Sequence, residues 1–587
     1  METKRCQNCK SDFVIEPDDF AFYEKIKVPP PTFCPACRLQ RRLLHRNERT
    51  LYKRSCDLCK KSMIARYAPE SPYTVYCPTC WYSDKWDRVA YGREYDFSRP
   101  FFEQFGELLL RVPRISVISV NAVNSDYVSQ CRDVKNCYMA TSIVSSENIN
   151  YSYRVDKSRD CFDVAFVEGS EGCVELTYGV KSSGVSHSVL VEDSFDSQLL
   201  YDCRNCKNSI LCINKRNASY QIGEAVYSKE EFTREREKLN LGSYKNLKEA
   251  KARLLRDSLR YPRKFAYLEQ CVNVIGDHIY NSKNCYSCFD SYGIENCKYM
   301  LVGIAGAKDC QDISFGGLKS ELCYEGTSII GSHIFFSIFT QPAQYVWYSD
   351  SCDASFLFGC SGIHGGQYYI LNKPYSKEEF MKLKDRIVEQ MNAVPYTDKR
   401  GNTYRYGEYF PPELSAFAYN ESHAQDYFPL SKEEVLGQGM KWREREVRSY
   451  EVSLTSEDIP DHIRDADDSI TEKIISCDHK EKGCVHQCAS AFRILPLELQ
   501  FYRTKGLPLP RLCSNCRHYE RLIVRNPLQL WHRTCTCAGE VSSNGIYQNT
   551  ASHTHGSTAC LSEFETSYSP DRPEIVYCAQ CYQAEVN

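Results

Sequence analysis

The sequence predicts a mixed, multidomain protein. Four-cysteine zinc-ribbon or treble-clef-like modules are expected at both ends, with a duplicated β-solenoid and capping helices between them. Three observations predict this. Cys-x-x-Cys pairs gather near both termini, the two termini are copies of one another, and the middle repeats with a period near twelve residues. At 587 residues the chain exceeds what one hydrophobic core organises, so several units are expected.

Composition narrows the function classes. Apolar residues make up 42% and the formal net charge is −3, which leaves only local patches for a polyanionic partner. The opening METKRCQNCK is polar, and no apolar run reaches roughly eighteen residues, so neither a signal peptide nor a spanning helix is expected. Cytoplasmic residence follows as the expectation. Many of the 33 cysteines come as Cys-x-x-Cys, and in that reducing setting the pattern reads as metal binding rather than disulfides.

The first module spans 1–95. Cys6, Cys9, Cys34 and Cys37 form C-x2-C-x24-C-x2-C, and Cys56, Cys59, Cys77 and Cys80 form C-x2-C-x17-C-x2-C. Zn²⁺ takes four soft ligands in a tetrahedron, and each Cys-x-x-Cys knuckle supplies two from one tight turn. Between the quartets runs CRLQRRLLHRNERTLYKRSC, with Arg38, Arg41, Arg42, Arg46, Arg49, Lys53 and Arg54 against a single acid, Glu48. Its leucines give a rough helical stripe, so Cys34 and Cys37 are expected to open a helix with basic outer faces. Such a helix, near Tyr52 and Trp81, suits an RNA backbone with exposed bases. A solvated helix face is the alternative.

Solenoid halves are expected at 115–227 and 265–375, with a helical cap and linker at 228–264. Cys271, Cys285, Cys297, Cys310 and Cys323 recur at intervals of 12–14, and Cys161 and Cys173 are 12 apart. The halves are copies: Cys137 and Cys285 are separated by 148, as are Cys212 and Cys360. Stacked rungs would place these thiols, reduced and buried, in an internal column. Ser228 and Ser376 each open a Ser-x-x-Glu capping box for a helix closing the end of its half. Residues 376–475 read as helical and irregular connector. Their acidic segment EVSLTSEDIPDHIRDADDSITEK either loops or pairs with the basic N-terminal helix.

The second module, 476–587, is the first one repeated. A shift of 479 carries Cys9, Cys34, Cys37 and Cys56 onto Cys488, Cys513, Cys516 and Cys535, and Arg38, Arg42 and Arg46 onto Arg517, Arg521 and Arg525. After an insertion of 22 residues, a shift of 501 carries Cys59, Cys77 and Cys80 onto Cys560, Cys578 and Cys581. Cys6 would fall on Val485, so Cys484 is taken as the ligand, with Cys477 as competitor. Cys537 competes with Cys535. His553 and His555, in the insertion, read as loop residues or as further ligands. Four zinc ions are expected in all.

The first quartet and its copy at 484–517, where Phe-Tyr and Cys-x-x-Cys-Arg recur and Gly506 is present, resemble a zinc-binding domain family. Over nearly its full length the chain resembles large zinc-ribbon proteins of unassigned function from uncultivated small-genome bacteria. QYYILNKPYSKEEF, YNESHAQDYFPLSKEE and SPDRPEIVYCAQCY carry that likeness. Some of those proteins bear a CoA-transferase label, but this chain shows no nucleotide-binding β-α-β pattern. The resemblance implies architecture rather than activity.

Function is therefore expected to be non-catalytic. The chain reads as a zinc-dependent binding protein that contacts RNA or a ribonucleoprotein through its basic helix, or as a protein-interaction scaffold with structural zinc. An enzyme would have to use the recurring Asp160, Asp163, Asp309 and Asp312 of RDCFD and KDCQD, and these fit solenoid corners equally well.

Overall fold

The computed structural model describes residues 1–444, 451–479, 484 and 487–586. It is a mixed α/β, multidomain protein with cysteine clusters at both ends. Nine short strands between Ser119 and Arg204 pair into one parallel sheet, and eleven between Leu268 and Pro374 form another, parallel except for its last, antiparallel pair. In the first sheet each residue pairs with the one twelve positions later, as Ser119 with Cys131, Tyr153 with Ala165 and Val189 with Tyr201. In the second the step varies: Val272 pairs Lys283, Phe289 pairs Leu301 and Gln311 pairs Tyr324.

A finer period underlies this register. From Asn121 to Tyr220, φ is positive at every third residue, on Asn, Asp and Gly but also on Tyr151, Phe166 and Leu199. A left-handed backbone costs an ordinary residue roughly 1–2 kcal/mol, so it persists only where the surroundings fix it. Here the residue after each left-handed one points into a narrow core: Cys131, Val134, Cys137, Ala140 and Ile143 follow one another in that role. Buried serines share the column and join successive layers. Ser158, Ser170 and Ser182 each donate a backbone N–H to the hydroxyl of the serine twelve residues earlier, all at 3.1 Å. Cys, Val and Ala share this column with Ile143, Ile149, Leu176 and Leu200, and each of these serines is satisfied, as buried polar groups must be.

All the central cysteines carry free thiols, and all but the half-buried Cys271 are buried. The helices Lys229–Leu239 and Lys377–Ala393 start at the expected capping boxes of Ser228 and Ser376. Each packs one phenylalanine against a strand tyrosine: Phe232 meets Tyr220 of Ser219–Ile222 and Phe380 meets Tyr368 of His364–Ile370, both with ring centres 5.8 Å apart. Among the described residues, no helix is long and apolar enough to cross a membrane.

Both end modules fasten onto these sheets. Val75–Tyr76 of the first pairs in parallel with Arg114–Ile115, where the chain enters the first sheet. Val576–Tyr577 of the second pairs in the same way with Arg263–Lys264, at the entry to the second sheet.

Candidate metal centres

Each cysteine quartet is built from a hairpin and a helix start. Strands Glu2–Arg5 and Asp12–Ile15 pair antiparallel, and the knuckle between them carries Cys6 and Cys9. Lys10, at φ 62°, closes that turn by donating its N–H to the Cys6 carbonyl. Cys34 caps the helix Pro35–Leu44, which places Cys37 in its first turn. The second quartet repeats the plan. Strands Tyr52–Ser55 and Ser62–Ala65 flank Cys56 and Cys59, Lys60 again has φ 62°, and Cys77 caps the short helix Pro78–Trp81.

The C-terminal module does the same. Cys513 caps the helix Ser514–Ile523, and the hairpin Trp531–Thr534 with Glu563–Thr566 carries Cys535 and Cys560. The ligand atoms of each quartet lie within 4.8 Å of one another: Cys6, Cys9, Cys34, Cys37; Cys56, Cys59, Cys77, Cys80; Cys477, Cys488, Cys513, Cys516; and Cys535, Cys560, Cys578, Cys581.

Distances within the quartets fit one ion apiece. Zn–S bonds of about 2.3 Å at tetrahedral angles set sulfurs about 3.8 Å apart. Cys9 and Cys34 are 3.7 Å apart, Cys59 and Cys77 3.9 Å, and Cys477 and Cys516 3.8 Å. Backbone amides support the thiolates: Cys34, Cys77, Cys513 and Cys578 donate N–H to Cys6, Cys56, Cys477 and Cys535 at 3.2–3.3 Å.

One ligand assignment is corrected. Cys477, not Cys484, occupies the place of Cys6. It donates its N–H to the Ser490 carbonyl as Cys6 donates to that of Ser11, and Ser11 shifted by 479 is Ser490. The knuckle is lengthened, so Cys477 stands eleven positions before Cys488 where Cys6 stands three before Cys9. Cys484 lies beside the quartet, its Sγ 3.7 Å from that of Cys516.

The basic segment 38–54 is corrected more thoroughly. Its helix ends at Leu44, and Arg38, Arg41, Arg42 and Arg46 are buried, with at most 5% exposure. Arg38 and Arg42 share the buried carboxylate of Asp312 at 2.8 and 2.9 Å. Arg41 reaches Glu325 and Glu408 at 3.4 and 3.3 Å, and Arg46 pairs with Glu48 while lying 4.1 Å over the Phe315 ring. Arg49 donates to Asn515 at 3.3 Å, and Arg54 to the Ala68 carbonyl at 3.0 Å. Lys53 stays exposed. Four of the seven cations expected on an outer surface are therefore spent inside the molecule.

The acidic segment is not their counterpart. Among the described residues, Asp461 instead accepts from the Lys245 N–H at 3.0 Å and Asp468 pairs with Arg503 at 2.6 Å.

The copy repeats the burial. Arg517 and Arg521 meet Asp163 at 3.2 and 2.7 Å, and Arg525 lies 4.1 Å over Phe166. The recurring aspartates of RDCFD and KDCQD are thus arginine anchors: Asp163 in the first sheet, Asp312 in the second. Asp160 and Asp309 accept instead from Asn148 and Asn296 at 2.7 and 3.0 Å. The signal that could have linked them is that basic helix and acidic pair are both duplicated. No family model matches the chain, and neither does any curated protein.

Proposed function

We propose that this chain is a non-catalytic scaffold in which two β-solenoids are locked together by two zinc-stapled clamps. The regular parallel register and the buried inner column support the solenoid reading. Four all-cysteine quartets of tetrahedral dimensions support zinc as the metal. One observation carries the functional conclusion: each arginine helix grips a buried aspartate of the sheet other than the one at whose entry its own module pairs. The first module leads into the first sheet and docks on Asp312 of the second. The second pairs with Arg263–Lys264 at the entry to the second sheet and docks on Asp163 of the first. Two similar modules hold both halves, and the outer surfaces remain for protein partners.

Titration with single-stranded RNA at low ionic strength separates this from RNA binding. No salt-sensitive binding through residues 38–54 is expected, and Arg42→Ser with Arg46→Ser should lower thermal stability. Salt-sensitive binding that those changes abolish without loss of stability would return the helix to RNA or a ribonucleoprotein.

A further inference from the structure

We propose that the C-terminal module holds a third zinc ion, a fifth for the chain, on Cys537, His553, His555 and Cys581. It would share the Cys581 thiolate with the Cys535–Cys560–Cys578–Cys581 site, and so it rests on reading that neighbouring quartet as a zinc site. The four ligand atoms lie within 4.8 Å of one another, and Cys581 belongs to both groups. A thiolate has lone pairs enough to bridge two ions. The second ion would also relieve charge: one dication among four thiolates is joined by another that brings only one further thiolate and two neutral imidazoles.

Hydrogen bonds fix both imidazoles for this role. His555 Nδ1 lies 2.7 Å from the Thr558 carbonyl, which can only accept, so Nδ1 carries the proton. Its Nε2 lone pair is left 3.3 Å from Cys581 Sγ, close to the edge of about 3.5 Å for a tetrahedral zinc with one sulfur and one nitrogen. His553 Nε2 faces Glu585 Oε1 at 2.8 Å, which frees Nδ1 as the donor to metal.

Glu585 is itself held, accepting from the Thr550 N–H and hydroxyl at 2.8 Å and from Tyr547 at 3.1 Å. A carboxylate fixed behind a ligating histidine is the usual outer shell of such a site. Asn549 donates to Cys537 Sγ at 3.2 Å, and Cys537 is 1% exposed. His553, at 9% exposure, is not a loose loop residue. Cys537 and both histidines lie between Cys535 and Cys560, in the insertion that the first module lacks.

Elemental analysis of the full-length protein purified without chelator should give five zinc ions per chain. His553→Ala with His555→Ala should give four, and so should Cys537→Ser, with thermal stability showing each variant folded. After replacement by Co²⁺, coupling through the shared thiolate should lower the paramagnetic signal per cobalt when the last equivalent binds, and the histidine variant should lose that effect. Four zinc ions in the wild type, or five in both wild type and variants, would overturn the fifth site alone. A chain with two or fewer zinc ions would instead overturn the reading of the quartets themselves.

Discussion

The two arginine helices solve one problem with a shared part and a private part. In both, two arginines a helical turn apart grip one buried aspartate: Arg38 and Arg42 on Asp312, Arg517 and Arg521 on Asp163. In both, the first arginine lies over a tyrosine, Arg38 over Tyr299 at 5.3 Å and Arg517 over Tyr151 at 4.6 Å. The third lies 4.1 Å over a phenylalanine in each.

The neighbours differ. Arg41 of the first helix corresponds to Glu520 in the second. Glu325, which Arg41 serves, has as its counterpart Glu175, which is paired with Lys251 from the helix Tyr244–Ser258 that follows the cap. Arg46 takes its acid from Glu48, close by in sequence, while Arg525 reaches Asp290 in the opposite sheet. The aspartate grip is the duplicated device, and the remaining buried charges have each been balanced by whatever lay nearby.

The largest effect that tests this comparison is metal removal. Zinc in small modules contributes an apparent ~10–16 kcal/mol of folding free energy, so strong chelation should unfold both ends. Limited proteolysis should then cut within 1–95 and 476–587 while 115–375 persists. Equal resistance of the ends with and without chelator would mean that the docking contacts alone hold the modules, with no part left for a zinc staple.

Next comes the grip itself. Asp312→Ala or Asp163→Ala leaves two buried guanidinium groups facing one another, and breaking a buried pair in this way costs about 3–5 kcal/mol. Thermal or urea unfolding should show similar losses for the two variants with zinc content unchanged. A large loss for one and none for the other would show that the two docking sites, though alike in geometry, do not carry the fold equally.

Much of this was legible in the sequence, and the gaps have physical causes. The quartets are visible because a Cys-x-x-Cys knuckle is local, and three of the four follow from spacing. Cys477 escapes because its knuckle is extended, so the hairpin preserves in space what the chain does not preserve in register. The twelve-residue period is legible from cysteines. The three-residue period beneath it is not, since left-handed positions occupied by Tyr151, Phe166 or Leu199 carry no turn signal. The arginines read as a surface because a charge run is ordinarily solvated. Their partners lie some 270 residues away in sequence, Arg42 to Asp312, and no local pattern announces a buried ion pair. Both members stand out as duplicated features; only the fold joins them.

The smallest effect separates the two docking sites by pH. Burial pushes the Glu325 carboxyl up to about 7 from the usual 4.5, although Arg41 and Arg42 oppose it. Its Oε2 has no partner, and Asp312 adds a like charge nearby. Burial also raises Glu175, whose side chain is 25% exposed against 0% for Glu325, yet Lys251 and His187 hold it below 4.5. The signs then differ. Between pH 4.5 and about 7, folded Glu325 keeps a proton that the unfolded chain gives up, so its contribution to stability falls as pH rises through that window. Glu175 contributes fully above 4.5 and loses its contribution only on acidification toward its depressed value. Melting temperatures from pH 5 to 8 should therefore rise less steeply, or fall, with pH in the wild type, and Glu325→Gln should remove that component. Glu175→Gln should leave the slope in this range unchanged and lower stability throughout it. If Glu175→Gln flattens the slope as much as Glu325→Gln does, the two carboxylates are electrostatically equivalent and the private part of each docking site is no more than a change of partner.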